Sequence, residues 1–343
     1  MPSWHRLPPV VTMGDDDRLI TSVRLNNDVP VAEFVDIAQL AESLGFDQLW
    51  VSNDLFLRSA PVLLAAAAMA TRRIAVGTCI LNPYSIHPAE IAMVATTMQE
   101  LSGGRFLLGL AAGADDFLAW AGLRRDAPLA RTREAISAIR ALCSGHSPAD
   151  VPGSGSGWLA DAKMRVPVQP TPIYLGAMSP RMLELTGEIA DGGLPLLYPP
   201  ESFTDTMAHV NTGLVRAGRQ SENIDVAACI WVSVDDDPQR ARGPLAEKLA
   251  YFGASFSPTV LARVGLQPAD LVAVREAEPA EALALLPPAM MSLGISGTPD
   301  EVATRCRTLV AAGARHLSFG PPLGPDRRHA IRLLGERVIP NVR

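Results

Sequence analysis

The sequence predicts an α/β fold, a TIM (β/α)8 barrel, and three observations lead to that class. Short apolar runs typical of strands alternate with segments of helical periodicity along the chain. Strands that alternate with helices in this way pair in parallel, with right-handed crossovers. Eight such units occur in 343 residues, a length that by itself also allows two smaller domains. We predict one domain over residues 18–343, with residues 1–17 as an N-terminal extension.

The first four strand–helix units all precede residue 145. In the first unit the apolar side chains share one helical face, and Gly45 closes the helix. The third strand leads through a polar loop to Pro88, which suits the first turn of a helix. We predict the four strands at residues 18–25, 48–51, 74–80 and 105–110.

The second half begins after residues 144–157, which are rich in Ser, Gly and Pro. We predict that residues 158–166 form a short excursion from the barrel or a hairpin, rather than a barrel strand. Several prolines and an irregular pattern over residues 255–293 predict an inserted helical lid. Thr298 and Glu301 have the spacing of a helix cap. We predict the last four strands at residues 173–176, 193–198, 225–234 and 316–319.

The composition indicates a cytoplasmic protein that acts on a small molecule. Lys and Arg number 30 against 36 Asp and Glu, and this acidic balance argues against a nucleic-acid partner. The four cysteines are far apart without a CxxC pair, so neither a disulfide framework nor a metal site is indicated. The longest apolar run, residues 61–70, is well short of the roughly 20 residues that cross a bilayer. We therefore expect no membrane partner.

Candidate site residues follow from the barrel, because the active site of this fold lies at the carboxyl ends of the strands. The candidates after the first three strands are Arg24, Asn53, Asp54, Cys79, Ile80 and Asn82. Those after the fourth, fifth and sixth are Ala111, Ala112, Gly113, Gly176, Ala177, Met178 and Tyr198. Asp235, Asp236 and Asp237 are consecutive, so their side chains diverge, and we interpret them as a solvated loop rather than a metal cluster.

The turn over residues 176–180 lies between a predicted strand and a helix whose first turn holds Pro180. Its free backbone N–H groups can face an anion, and phosphate is the natural occupant. An ordinary tight turn with a serine cap is the alternative interpretation. Residues 109–113 lack the GxGxxG spacing, but their small side chains would let a flat ligand approach the backbone.

Asn53 and Asp54 are polar at a position that should face the barrel mouth. They could hydrogen-bond a heterocyclic ring or exchange a proton with a substrate. Alternatively, Asp54 caps the following turn. His87 precedes Pro88 and fits a helix-entry residue better than a catalyst.

Five segments resemble the bacterial-luciferase-like superfamily, in particular its coenzyme F420-dependent branch with methylenetetrahydromethanopterin reductase and F420-dependent alcohol dehydrogenase. The resemblance covers nearly the whole chain, and its motifs are specific together although each is weak alone. The segments are GFDQLWVSND (45–54), VGTCILNPYSIHP (76–88), LSGGRFLLGLAAG (101–113), PIYLGAMSP (172–180) and FGPPLGPDRRHAIRLLGE (319–336).

The resemblance implies that a deazaflavin ring lies in the barrel mouth. It also implies a cis peptide bond at Cys79–Ile80 that supports one face of the ring. The resemblance further implies a homodimer that forms through helices of the first half of the chain. Phosphate contacts would fall on Gly176, Ala177 and Met178. Ring and side-chain contacts would fall on Asn53, Asp54, Asn82, Ala111, Ala112 and Gly113.

Two positions depart from the reductases of this branch. Their glutamate at the end of strand one is replaced by Arg24, and the Asp-His pair common after strand two is Asn53-Asp54. A carboxylate that would assist a pterin imine is therefore missing, so we do not transfer that substrate. Arg24 instead suggests an anionic or carbonyl-bearing partner.

The leading hypothesis is an F420-dependent oxidoreductase that passes a hydride between the deazaflavin C5 and a small organic substrate. Asp54 would transfer a proton, Arg24 and Tyr198 would orient the substrate, and Trp231 would form the pocket wall. Three alternatives remain open. They are an FMN-dependent monooxygenase, a flavin-independent NAD(P)H reductase, and a non-catalytic protein that only binds a cofactor.

Overall fold

The structure, a computed structural model, describes residues 18–221, 224–253 and 256–343. The predicted extension, residues 1–17, lies outside the described residues. The strands pair in parallel throughout one sheet. They are β1 (Ile20–Leu25), β2 (Gln48–Val51), β3 (Ala75–Thr78), β4 (Phe106–Leu110), β5 (Ile173–Leu175), β6 (Gly192–Gly193), β7 (Asp225–Val226), β8 (Ala228–Val234), β9 (Ile295–Gly297) and β10 (His316–Leu323).

The sheet closes into a barrel because β7 and β8 are two parts of the predicted seventh strand. The first part pairs with β6 and the second with β10, which in turn pairs with β1. At the break, the Ala227 N–H donates to the Gly193 carbonyl over 2.9 Å. The predicted TIM barrel is therefore confirmed, with seven neighbouring strands and the divided one.

Two strands differ from the prediction. The sixth was expected over residues 193–198, but its ladder ends at Gly193 and continues only as a bridge between Leu196 and Cys229. Pro195 lies between them and has no N–H to donate. The additional strand β9 was not predicted, and it pairs with the second half of β8.

Helices surround the barrel and begin where the sequence supplies prolines or caps. Thr298 and Glu301 form the predicted cap, since the Thr298 N–H donates to Glu301 Oε2 over 2.7 Å. The helices are α1 (Val31–Ser43), α2 (Ala60–Ala70), α3 (Pro88–Ser102), α4 (Asp115–Trp120), α5 (Pro128–Cys143), α6 (Pro180–Ile189), α7 (Phe203–Arg216), α8 (Pro238–Phe252), α9 (Pro258–Ala262), α10 (Val272–Glu276), α11 (Pro279–Ala284), α12 (Pro299–Ala311) and α13 (Arg327–Leu333). In the described part of the chain, none of them is long and apolar enough to cross a membrane.

The main core lies between the sheet and the surrounding helices, and it includes the apolar face predicted for α1. A second apolar cluster joins the mouth of the barrel to the segment that follows α8. In it, Tyr198 and Trp231 from the strand ends pack with residues of α8 and of the short helices over residues 258–293. The segment is helical and contacts the mouth; that it moves as a lid stays a prediction.

The lower interior of the barrel holds a buried polar network. His316 Nδ1 lies 3.0 Å from Asp225 Oδ2, and its Nε2 lies 2.8 Å from Ser22 Oγ. The Tyr174 hydroxyl also donates to Asp225 Oδ2 over 2.8 Å. Ser22, His316 and Asp225 are hydrogen-bonded in the way of a catalytic triad, but Ser22 and His316 are fully buried, and His316 and Asp225 are the first residues of their strands. We interpret the network as structural, because active sites of this fold lie at the opposite end.

Candidate active site

Arg24, near the end of β1, crosses the mouth of the barrel. It is buried, and its Nη2 donates to the Ile230 carbonyl over 2.9 Å. The backbone at Gly320 leaves room for it, since a side chain there would overlap the guanidinium. Its Nε is buried without a hydrogen-bond partner, and it forms no ion pair within the described residues. Arg24 is therefore a buried cation whose charge no neighbouring carboxylate balances.

Asp54 is half-buried and is held by a network that the sequence analysis did not identify. The buried Asn27 donates from Nδ2 to the Asp54 carbonyl over 2.9 Å and accepts from the Asp54 N–H over 3.2 Å. Ser52 Oγ donates to the Asp54 carboxylate over 2.9 Å. Burial raises the pKa of Asp54 and outweighs the lowering effects of Ser52 and Lys248. Asp54 therefore retains a proton more readily than an exposed aspartate.

Asn53 and Asn82 use their side-chain carbonyls within their own loops. Asn53 Oδ1 accepts from the Ala60 N–H over 3.0 Å, at the start of α2. Asn82 Oδ1 accepts from the N–H groups of Tyr84 and Ser85 over 3.1 and 2.9 Å. Among the described residues, the side-chain N–H groups of these two asparagines form no hydrogen bond. The residue that caps the turn after β2 is thus Asn53 rather than Asp54.

The ends of three strands form one floor of the mouth, where two small residues, Ala111 and Gly176, lie against Ile80; we call these three residues the small-residue floor. A Cβ added to Gly176 would lie 3.1 Å from Ile80 Cγ2 and 3.2 Å from Ala111 Cβ. The peptide bond between Cys79 and Ile80 is cis, as the resemblance implied. Burial raises the pKa of the Cys79 thiol to about 12, so this cysteine is not a thiolate nucleophile at neutral pH.

Beside the floor, the turn that contains Ala177 and Met178 leads into α6. Ser179 precedes the helix without capping it through its side chain, so backbone N–H groups of the first turn remain available. A cavity of about 390 Å³ opens at this turn. Its lining includes Ala177, Met178, Ser179, Tyr198, Phe256 and Arg263. The predicted phosphate loop therefore borders a cavity, which favours the anion interpretation over an ordinary turn.

An aromatic wall of Tyr198, Trp231, Phe252 and Phe256 closes one side of the mouth. The ring centroids of Tyr198 and Trp231 are 4.9 Å apart, and those of Trp231 and Phe252 are 5.5 Å apart. Burial raises the pKa of the Tyr198 hydroxyl above its ordinary value, so it stays protonated. Arg263 secures the wall by donating to the Tyr198 carbonyl over 3.1 Å.

Lys248 of α8 reaches into this wall, and the sequence analysis did not identify it. Its Nζ lies 4.7 Å from the Trp231 ring centroid and 4.8 Å from that of Phe252. Burial and the charge of Arg24 together lower its pKa to about 8, although the charge of Asp54 opposes them. Lys248 and Lys163 are the only lysines in the sequence. The scarcity of lysine is the one feature of the sequence that could have drawn attention to Lys248.

The structure thus brings most of the predicted residues to one end of the barrel. Arg24, Asp54 and Tyr198 are grouped there with Lys248, and the small-residue floor lies across β3, β4 and β5. Ala112 is buried behind this floor, Gly113 contacts Asn82, and Met178 is exposed at the cavity. Such a mouth can accommodate a flat cofactor and can place two cations and one carboxyl group near a substrate.

Comparison with known proteins identifies the class. The family model described as luciferase-like monooxygenase matches residues 17–316. The chain belongs to this family and is an oxidoreductase, so the resemblance found in the sequence is confirmed.

Individual relatives cover almost its whole length. The 5,10-methylenetetrahydromethanopterin reductase of Archaeoglobus fulgidus is 34% identical over 92% of this chain and 97% of its own. The F420-dependent glucose-6-phosphate dehydrogenase of Nakamurella multipartita is 29% identical over 91% of this chain and 93% of its own. The structure of the coenzyme F420 dependent tetrahydromethanopterin reductase from Methanopyrus kandleri superimposes with a TM-score of 0.85, at 27% identity, covering 95% of this chain and 100% of that one.

Proposed function

We propose that this protein is an F420-dependent oxidoreductase that moves a hydride between C5 of the deazaflavin and a small organic substrate. The observation that carries the proposal is the small-residue floor, which lies beside the free first turn of α6. Full-length relatives named for F420 dependence support it.

The residues of the mouth fit the cofactor. Its flat ring requires close approach to backbone, and Gly176 and Ala111 provide that over Ile80. Its phosphorylated side chain requires hydrogen-bond donors that bind an anion. The N–H groups of Ala177 and Met178 and those at the start of α6 can supply them. When bound, the deazaflavin supplies a two-electron hydride carrier.

The chain's own residues would then orient the substrate and move a proton. In the direction of reduction, the Asp54 carboxyl would donate a proton to the substrate oxygen, and the bound reduced cofactor would supply the hydride that the carbonyl carbon needs. The raised pKa of Asp54 suits this role. Arg24 and the protonated Tyr198 hydroxyl would hold the polar groups of the substrate, and Trp231 would exclude water.

The substrate of the methylenetetrahydromethanopterin reductases does not transfer. The resemblance places a glutamate of those enzymes at the position of Arg24, which is here a buried cation without a paired carboxylate among the described residues. A guanidinium does not exchange a proton with an imine as a carboxyl group does, because arginine is not deprotonated in proteins. We therefore propose a carbonyl or alcohol substrate in place of a pterin imine.

A second candidate is FMN-dependent monooxygenation, because the family that matches is described as luciferase-like monooxygenase. Oxygen uptake distinguishes the two, since a reduced 5-deazaflavin reacts poorly with oxygen. We expect the protein to oxidise reduced F420 anaerobically with carbonyl compounds, and to take up no oxygen with reduced FMN. Oxygen uptake with reduced FMN would instead establish the monooxygenase. Turnover with NAD(P)H alone would indicate the flavin-independent reductase, and binding without any turnover a non-catalytic role.

A further inference from the structure

Two cations face the mouth without a carboxylate partner. Arg24 forms no ion pair in the described ranges, and neither does Lys248. Both lie in surroundings that penalise charge, Arg24 because it is buried and Lys248 because it lies against Trp231 and Phe252. The charge of Arg24 disfavours the charged form of Lys248, so the two cations repel each other unless a ligand compensates their charge.

Arg24 shows the cost most directly. Its Nη2 is used by the Ile230 carbonyl, but its Nε is buried and has no acceptor. A buried donor that has lost water without gaining a partner is destabilising. A planar oxyanion can accept from two donors of one guanidinium at once, which would satisfy Nε and balance the charge.

The carboxyl groups nearby do not fill this role. Asp54 and Asp28 are near enough to influence Lys248, yet neither forms an ion pair with it. The Asp54 carboxylate is already hydrogen-bonded by Ser52, and burial favours its protonated form. Even when it is ionised, its single negative charge cannot balance two cations.

We infer that the substrate carries a carboxylate, which Arg24 and Lys248 hold at the barrel mouth beside Asp54. The inference rests on the proposed function and narrows it to oxo acids and hydroxy acids. The carbon skeleton of the substrate would pack against the aromatic wall, next to its carboxylate. An ester or amide of the same shape would leave both cations unbalanced.

The two lysines provide a matched test. Lys248→Met keeps the length of the side chain and removes its charge, and Lys163→Met makes the same change on an exposed segment. Binding of acetate and benzoate is measured by calorimetry, with acetamide and benzamide as neutral counterparts and inorganic phosphate as a different oxyanion. Arg24→Gln is measured as well, with thermal unfolding to check that it folds.

We expect the carboxylates, but not the amides, to bind the wild type. Lys248→Met should weaken their binding at least about tenfold, whereas Lys163→Met should leave it unchanged. F420 affinity, titrated separately, should be nearly equal in the wild type, Lys248→Met and Lys163→Met.

Three results would overturn the inference. They are the absence of carboxylate binding, a preference for phosphate, and a loss of F420 affinity rather than carboxylate affinity in Lys248→Met. The last result would show that the two cations bind the cofactor rather than the substrate. If the wild type bound carboxylates but not F420, the anion site would stand and the proposed function would fail.

Discussion

Lys248 is the residue whose state the structure predicts most sharply. Burial disfavours its charged form and Arg24 repels it, so its pKa falls to about 8. Reductive methylation with a carbon-13 label would give one NMR signal each for Lys248 and Lys163, and titration would report the pKa directly. Arg24→Gln should raise it because a positive charge is removed, and Asp54→Asn should lower it because a negative charge is removed. A Lys248 signal that titrates above pH 10 would contradict this account.

Asp54 is predicted to act as the proton donor. Asp54→Asn should lower kcat by about 10²–10⁴-fold, because the amide keeps the shape but cannot give up a proton. In the direction of reduction the wild-type rate should fall as pH rises through the Asp54 pKa. Asp28→Asn provides the control: Asp28 raises that pKa, so its removal should move this decline to lower pH without abolishing activity. Full activity of Asp54→Asn would exclude the role.

The residues that could not be predicted share one physical reason. Arg24 and Asp54 follow strands, so the barrel rule selected them. Lys248 lies within a helix, and Asn27 acts by joining two loops, so neither has a local signal. Their roles depend on contacts between distant parts of the sequence, which periodicity does not encode.

At the level of secondary structure, a buried polar network links β1, β5, β7 and β10 in the lower interior of the barrel. Its members are Asp225, His316, Tyr174 and Ser22. Burial raises the pKa of Asp225, but His316 and Tyr174 outweigh it, so the net pKa is lowered. A lowered pKa contributes stability above the unfolded pKa, and that stability is lost as pH falls through the folded value. The network should therefore weaken in acid.

Asp225→Asn should lower the free energy of unfolding by about 1–3 kcal/mol, because the amide is a poorer partner for the buried groups of His316 and Tyr174. Denaturant unfolding at neutral pH measures it. Asp236→Asn is the control, since Asp236 pairs with Arg337 and His329 on the surface and should cost about 1 kcal/mol or less. Equal effects of the two substitutions would show that the network does not stabilise the barrel.

The elements were predictable to different degrees. Alternating strand and helix patterns sufficed for the eight units, and the cap at Thr298 was read correctly. The sixth strand was predicted too long because its apolar composition concealed the effect of Pro195 on the ladder. β9 has three residues, too few to show a period.

For the whole molecule, the predicted homodimer can be tested on α2 and α3. Val62, Met69 and Met93 are large apolar side chains that are more than half exposed on these helices. Met69→Glu should dissociate a dimer formed there, as measured by sedimentation, because it would bury a charge. Val215→Glu on α7 should have no effect, since that residue is equally exposed on another face. A wild type that sediments as a monomer would contradict the prediction.

The central claim is that this barrel binds F420 over its small-residue floor, and equilibrium titration with F420, FMN and NADPH tests it most directly. We predict that F420 binds most tightly and that Ala111→Leu weakens it at least about tenfold, since the larger side chain fills the floor beside Ile80 and Gly176. Ala312→Leu, the same change at an exposed site after α12, should bind F420 like the wild type. A preference for FMN, or equal F420 affinity of the two variants, would contradict the account.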